Sequence, residues 1–152
     1  MSAEQPNAKE VDPKLKRSLE DIRRELDDVG NPDYVSSLST IDNPEDTILI
    51  GTCFNVIKRN VAPAFGRIKK SLEEIAVTKP ELQQEINALF ANSWVGFLAE
   101  STEDVETLIR SGAMGEKGLE NGKSKEGFDF IKRIDGIIPT AIDATKKVLE
   151  MI

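Results

Sequence analysis

Four groups of residues in this chain are of a type and spacing that could do chemistry: the run Gly122-Lys123-Ser124 at a helix start, the pairs Lys58-Arg59 and Lys69-Lys70, the carboxylates Asp21, Glu25, Asp27 and Asp28, and the thiol of Cys53. The first has the composition of a phosphate-binding loop, but that loop needs four residues between its two glycines and Gly118 to Gly122 has three. It also needs a buried strand before it, where this chain offers a polar helix. What is left is a flexible connection from Gly112 to Lys123, expected to be mobile and not a nucleotide site, whose helix start can still attract an anion weakly. The basic pairs lie eleven residues apart, close to three helical turns, so they share a face; Lys125, Lys132 and Lys146 line up similarly further on. Such a seam suits an acidic partner or a nucleic-acid backbone, though it is more often an ordinary solvated helix face.

The carboxylates invite a metal, yet the chain has no histidine, which removes the Glu-x-x-His ligand sets of di-iron bundles, and it has no twelve-residue calcium loop. Imidazole acid/base catalysis and Ser-His or Cys-His nucleophiles go with it. A single cysteine builds neither a zinc site nor an intramolecular disulfide, and Cys53 is expected to be a buried, inert thiol. No arrangement of the remaining groups specifies a reaction, so no catalytic residue, cofactor or metal is assigned and the chain is expected not to be an enzyme. Phe90, Trp94 and Phe97, together with Cys53, could line a ligand pocket; aromatic residues at helical spacing are more often plain core.

Those residues must be positioned by helices. The 152 residues are 39% hydrophobic but only 5% aromatic, the composition of an aliphatic core. A chain of this length buries roughly 70% of the surface it exposes when unfolded, so one domain suffices. Net charge is −7, and residues 1–50 carry 12 acidic against 6 basic groups, whereas residues 51–79 carry 6 basic groups against Glu73 and Glu74. The acidic total argues against general nucleic-acid binding. The polar start lacks a secretory signal and no run approaches the ~18 apolar residues of a membrane span, so no membrane is expected and a cytoplasmic location is.

Residues 1–11 read as a disordered tail and 12–152 as a single all-α domain. A helix over 12–29 opens with Asp12 as N-cap and Pro13 behind it, and carries Leu15, Leu19, Ile22 and Leu26 as a narrow apolar stripe. A connection over 30–43 follows, in which Tyr34, Val35, Leu38 and Ile41 hug the surface. The bundle over 44–152 starts with Asn43 as N-cap and Pro44 behind it. Ile50, Phe54, Ile57, Val61, Phe65, Ile68, Leu72 and Ile75 hold one phase across Pro63, which predicts a single long helix kinked there. Thr78 and Glu81 match a capping box that opens a central helix running through Trp94 to Ala99. Ser101 with Asp104 caps a shorter helix to Arg110, and a last helix from Ser124 contains Pro139. The expected fold is a bundle of four to five helices, two of them long and proline-kinked. Lys69 to Ile75 and Lys146 to Ile152 agree at five of seven positions, as a duplicated hairpin would, though amphipathic helices commonly end this way.

The function expected from this is that of a non-catalytic helical assembly or adaptor subunit, self-associating or bound to a protein partner. Its interaction residues are Leu15, Leu19, Ile22 and Leu26 on the acidic first helix and Lys58, Arg59, Lys69 and Lys70 on the basic segment. A hydrophobic small-molecule carrier would need an apolar cavity in the core, and an accessory subunit of a nucleic-acid machine would need the basic residues to converge on one patch.

Overall fold

The computed structural model describes residues 13–31 and 37–152. The disordered-tail reading, Asp12, Tyr34 and Val35 all lie outside the described residues. Among these, the fold is all-α. Eight helices follow in order: α1 (Pro13–Gly30), α2 (Thr47–Val56), α3 (Ala62–Thr78), α4 (Gln83–Asn92), α5 (Val95–Ala99), α6 (Ser101–Arg110), α7 (Gly115–Glu120) and α8 (Lys123–Leu149). Residues 37–40 add one further helical turn, which seals Leu38 and Ile41 completely.

The long proline-containing helix is continuous, as the unbroken apolar phase requires. Its adjustment to Pro63 is a π-helical turn at Ile57–Val61, where the Ala62 N–H donates to the Ile57 carbonyl. Proline has no N–H to close the ordinary i→i−4 ladder, and the widened turn just ahead of it absorbs that loss. The start of α2 differs from the expectation. Asp46, not Asn43, is the N-cap, its Oδ1 accepting from the Leu49 N–H at 3.0 Å, while Asn43 Oδ1 accepts from the Glu45 N–H at 2.9 Å and builds the turn before it.

Three more boundaries are corrected. The Thr78–Glu81 capping box does not form: Thr78 closes α3 with its hydroxyl turned back to the Glu74 carbonyl. Lys79, as the residue before Pro80, is driven out of helical geometry, and a short 3-10 turn at Pro80–Leu82 leads into α4. The expected helix to Ala99 breaks at Ser93 and Trp94 into α4 and α5. Ser101 is inside α6 rather than its cap; it is fully buried and its hydroxyl donates to the Leu98 carbonyl at 2.6 Å. The stretch 112–123, read as a mobile connection, folds over α7, with Ala113 fully buried and Gly118 set so tightly on the Ala113 carbonyl that a side chain there would collide with it.

The buried residues form one apolar cluster. α3 is at its centre, with α1, α4 and α5 laid against it, and α8 runs past α1, α2, α4, α5, α6 and α7 to close the far side. The centre is thus α3 and not the Trp94 segment, whose Trp94 is 36% exposed.

Candidate interaction surface

The break between α4 and α5 builds the most unusual site on the molecule. Trp94 has φ 73°, the one left-handed residue other than glycine among the described residues. A β-carbon makes that conformation cost about 1–2 kcal/mol, and bulky residues adopt it rarely. The Ser93 N–H still donates to the Leu89 carbonyl at the end of α4, and the Trp94 carbonyl already accepts from Leu98 at 2.8 Å at the start of α5, so the chain reverses over two residues. The reversal is so sharp that a β-carbon on Gly96 would lie 2.9 Å from the Phe90 carbonyl oxygen. Only glycine passes there.

The corner holds the indole at the surface against two further rings and a guanidinium. Trp94 meets the Phe97 ring edge to face at 5.9 Å, Phe97 meets Phe130 of α8 at 6.3 Å, and Arg133, one turn beyond Phe130, lies 5.5 Å from the Trp94 ring and 5.0 Å from the Phe97 ring. Each edge-to-face pair contributes about 0.5–1.5 kcal/mol and each exposed cation–π contact about 0.5–1 kcal/mol, enough together to offset the backbone strain. Glu100, Glu103 and Asp104 stand beside this platform at the start of α6. Burial, helped by Glu103 and Glu100, pushes the Asp104 carboxyl up from its ordinary value against the pull of Arg133. The result is an exposed aromatic ledge topped by a cation and edged by carboxylates, suited to desolvating against another surface.

The stripe on α1 is used inside the chain: Leu15, Ile22 and Leu26 are buried, joined by Val29 and Ser18, with Leu19 partly covered, on a helix that packs chiefly against α3 and also against α8. Complementarity between the acidic first helix and the basic segment also occurs within the chain, since Arg67 holds Glu25 with two bonds, at 2.7 and 3.0 Å. Several of the basic residues have partners of their own. Lys58 pairs with Glu106 at 3.6 Å, Lys69 lies over the Phe90 ring at 5.5 Å, Lys125 bonds Asp129, and Lys132 donates to the Ser39 carbonyl; Arg59 and Lys70 are exposed. Lys146 borders an open groove with Arg23 and Asp27. Asp21 pairs with Arg24, and no group of carboxylates able to hold a metal occurs among the described residues.

Of the four residues read as a possible pocket lining, Trp94 and Phe97 come together, while Phe90 stacks under Lys69 and Cys53 lies fully buried in α2, donating to the Ser37 carbonyl at 3.3 Å. The rings pack on one another rather than around a space. Phe130 and Arg133 were missed as members of this cluster, the first against Phe97 and the second against both Trp94 and Phe97. Their i,i+3 spacing shows that they share a face of α8, but nothing local says that this face meets α5.

No family model, no curated protein and no solved structure matches this chain.

Proposed function

We propose that the protein is a non-catalytic helical adaptor or assembly subunit of the cytoplasm, working through protein–protein contacts and self-associating through the ledge of Trp94, Phe97 and Arg133. The observation that carries this reading is Trp94, which is held at the surface by a strained backbone and a stacked arginine. Strain of this kind persists where the surrounding structure enforces it and gathers at working sites. Tryptophan and arginine are also the residue types that dominate binding energy at protein interfaces. By contrast, the apolar face of α1 is occupied within the chain, chiefly by α3, and several of the lysines and arginines are engaged by carboxylates or rings of the chain itself.

The test is the mass of the full chain in solution by sedimentation equilibrium, wild type against Trp94→Ala and Arg133→Ala, with circular dichroism as the check on folding. A wild-type oligomer that shifts toward monomer by tenfold or more in dissociation constant in both variants supports the reading. A wild-type monomer, or an oligomer indifferent to both changes, removes the ledge as a self-association site.

A further inference from the structure

The aromatic ledge carries charges of both signs that the chain itself leaves unpaired. The guanidinium of Arg133 is exposed and lies 5.5 and 5.0 Å from the Trp94 and Phe97 rings, and no carboxylate comes within ion-pair distance of it among the described residues. Ring faces attract the charge without supplying an oxygen to the planar fork, so its N–H donors stay open to an acceptor. Beside it Glu100 and Glu103 are exposed one turn apart at the start of α6, with Asp104 partly buried next to them. None of the three carboxylates meets a cation at ion-pair distance among the described residues. Burial and the neighbouring Glu103 and Glu100 push the Asp104 carboxyl above its ordinary value in spite of Arg133. The edge therefore holds more negative charge than that one cation offsets. By contrast, Glu106 on the same helix is held by Lys58 at 3.6 Å, and Glu25 by Arg67 at 2.7 Å.

A patch with an open cation next to open carboxylates is complementary to a copy of itself turned through 180°. The cation of each copy then faces the carboxylates of the other, and the same contact is made twice. A partner of one charge sign fits this patch less well, since it attracts one part of the ledge and is repelled by the other. The apolar centre that such a contact needs is present in Trp94, 36% exposed, and in Phe97 beneath the same guanidinium.

We propose that two copies of this chain dock ledge to ledge about a two-fold axis, with the Trp94 and Phe97 rings at the centre and Arg133 of each copy bonded to Glu100 and Glu103 of the other. This deepens the self-association reading above and rests on it. The planar fork of arginine donates to two carboxylate oxygens at once, and exclusion of water by the rings strengthens the pair. The arrangement closes on itself, so it yields a dimer and nothing larger.

The experiment reverses the charges one side at a time. Arg133→Glu sets carboxylate against carboxylate at both contacts, and Glu100→Lys combined with Glu103→Lys sets cation against cation. Mixed in equal amounts, the two variants oppose carboxylate to ammonium at both contacts, because each supplies what the other lacks. Native mass spectrometry of the full chains, one of them ¹⁵N-labelled so that homodimers and heterodimer differ in mass, reads the outcome, with circular dichroism as the check on folding. A wild-type dimer is expected, weakened about tenfold or more in each variant alone, with the heterodimer preferred over both homodimers by a similar factor in the mixture. Where a reversal disturbs the fold, Arg133→Gln and Glu100→Gln with Glu103→Gln replace it. Each is then expected to weaken the dimer, and the two together no more than either alone, since they remove the same pair. A wild-type dimer that Trp94→Ala dissociates, but whose charge variants form no heterodimer or act additively, overturns the two-fold pairing and leaves the ledge as the self-association site. Oligomers larger than the dimer do the same. A wild-type monomer overturns both.

Discussion

At the scale of single residues, the left-handed backbone of Trp94 separates two quantities that usually come together, the strain of a position and the contacts of its side chain. Alanine at 94 loses the ring contacts and keeps the strain; glycine loses the same contacts and is free of it. Trp94→Gly is therefore expected to be more stable than Trp94→Ala by about 1 kcal/mol, read as the difference between urea midpoints at equal slope. The reverse order would mean that the turn relaxes once the indole is gone. Cys53 gives a second test at this scale. Burial pushes its thiol above the ordinary pKa, and the thiolate is the reactive form, so alkylation at pH 8 is expected to be negligible in the folded chain and complete in denaturant. The burial of this lone cysteine was legible in the sequence. The cation over Trp94 was not, because Arg133 lies on α8, more than thirty residues further along the chain.

Among the elements, helix existence was legible and helix ends were not. The stripe from Ile50 to Ile75 predicts a continuous helix through Pro63, and the π-helical turn is the local means by which it stays continuous. Ends are ambiguous because cap rules are satisfied more than once in a short span. Asn43 with Pro44 behind it reads as the start, yet Asp46 three residues on is of an equally favoured cap type, and only the bond from Leu49 to Asp46 decides between them. Thr78 and Glu81 satisfy the capping-box pattern, but the geometry forced on Lys79 by Pro80 moves the helix start beyond both. The break at Trp94 is masked by the apolar run Trp94 to Leu98, which reads as one broad helix face when the chain in fact turns through a left-handed Trp94 between two helices. Asp46→Ala is expected to cost about 1 kcal/mol and to raise hydrogen exchange in the first turn of α2, whereas Asn43→Ala, which removes a turn contact only, is expected to cost a few tenths. Equal costs would return the cap to Asn43.

At the scale of the whole molecule, periodicity gives each helix its apolar face but not the face that it meets. The narrow stripe on α1 illustrates this. A stripe one residue wide per turn fits a helix that seats in a groove, and nothing in the spacing says whether the groove is on the same chain or another. In the structure α3 supplies it, and the bond between Arg67 and Glu25 fixes the register from outside the core. Leu15, Ile22, Leu26 and Val29 are each at most 5% exposed. At about 1.5–3 kcal/mol for each buried aliphatic side chain, α1 contributes an amount comparable to the ~5–15 kcal/mol that holds a whole domain folded. Deleting residues 1–30 is therefore expected to abolish cooperative thermal unfolding and near-ultraviolet circular dichroism, and to bare the faces of α3 and α8 that α1 covers, so that the truncated chain aggregates. Supplying residues 12–31 as a separate peptide is expected to restore part of the signal, because the missing contacts are noncovalent. A truncated chain that melts cooperatively and stays monomeric would show α1 to be a dispensable arm, and would reopen its stripe as a surface for other molecules.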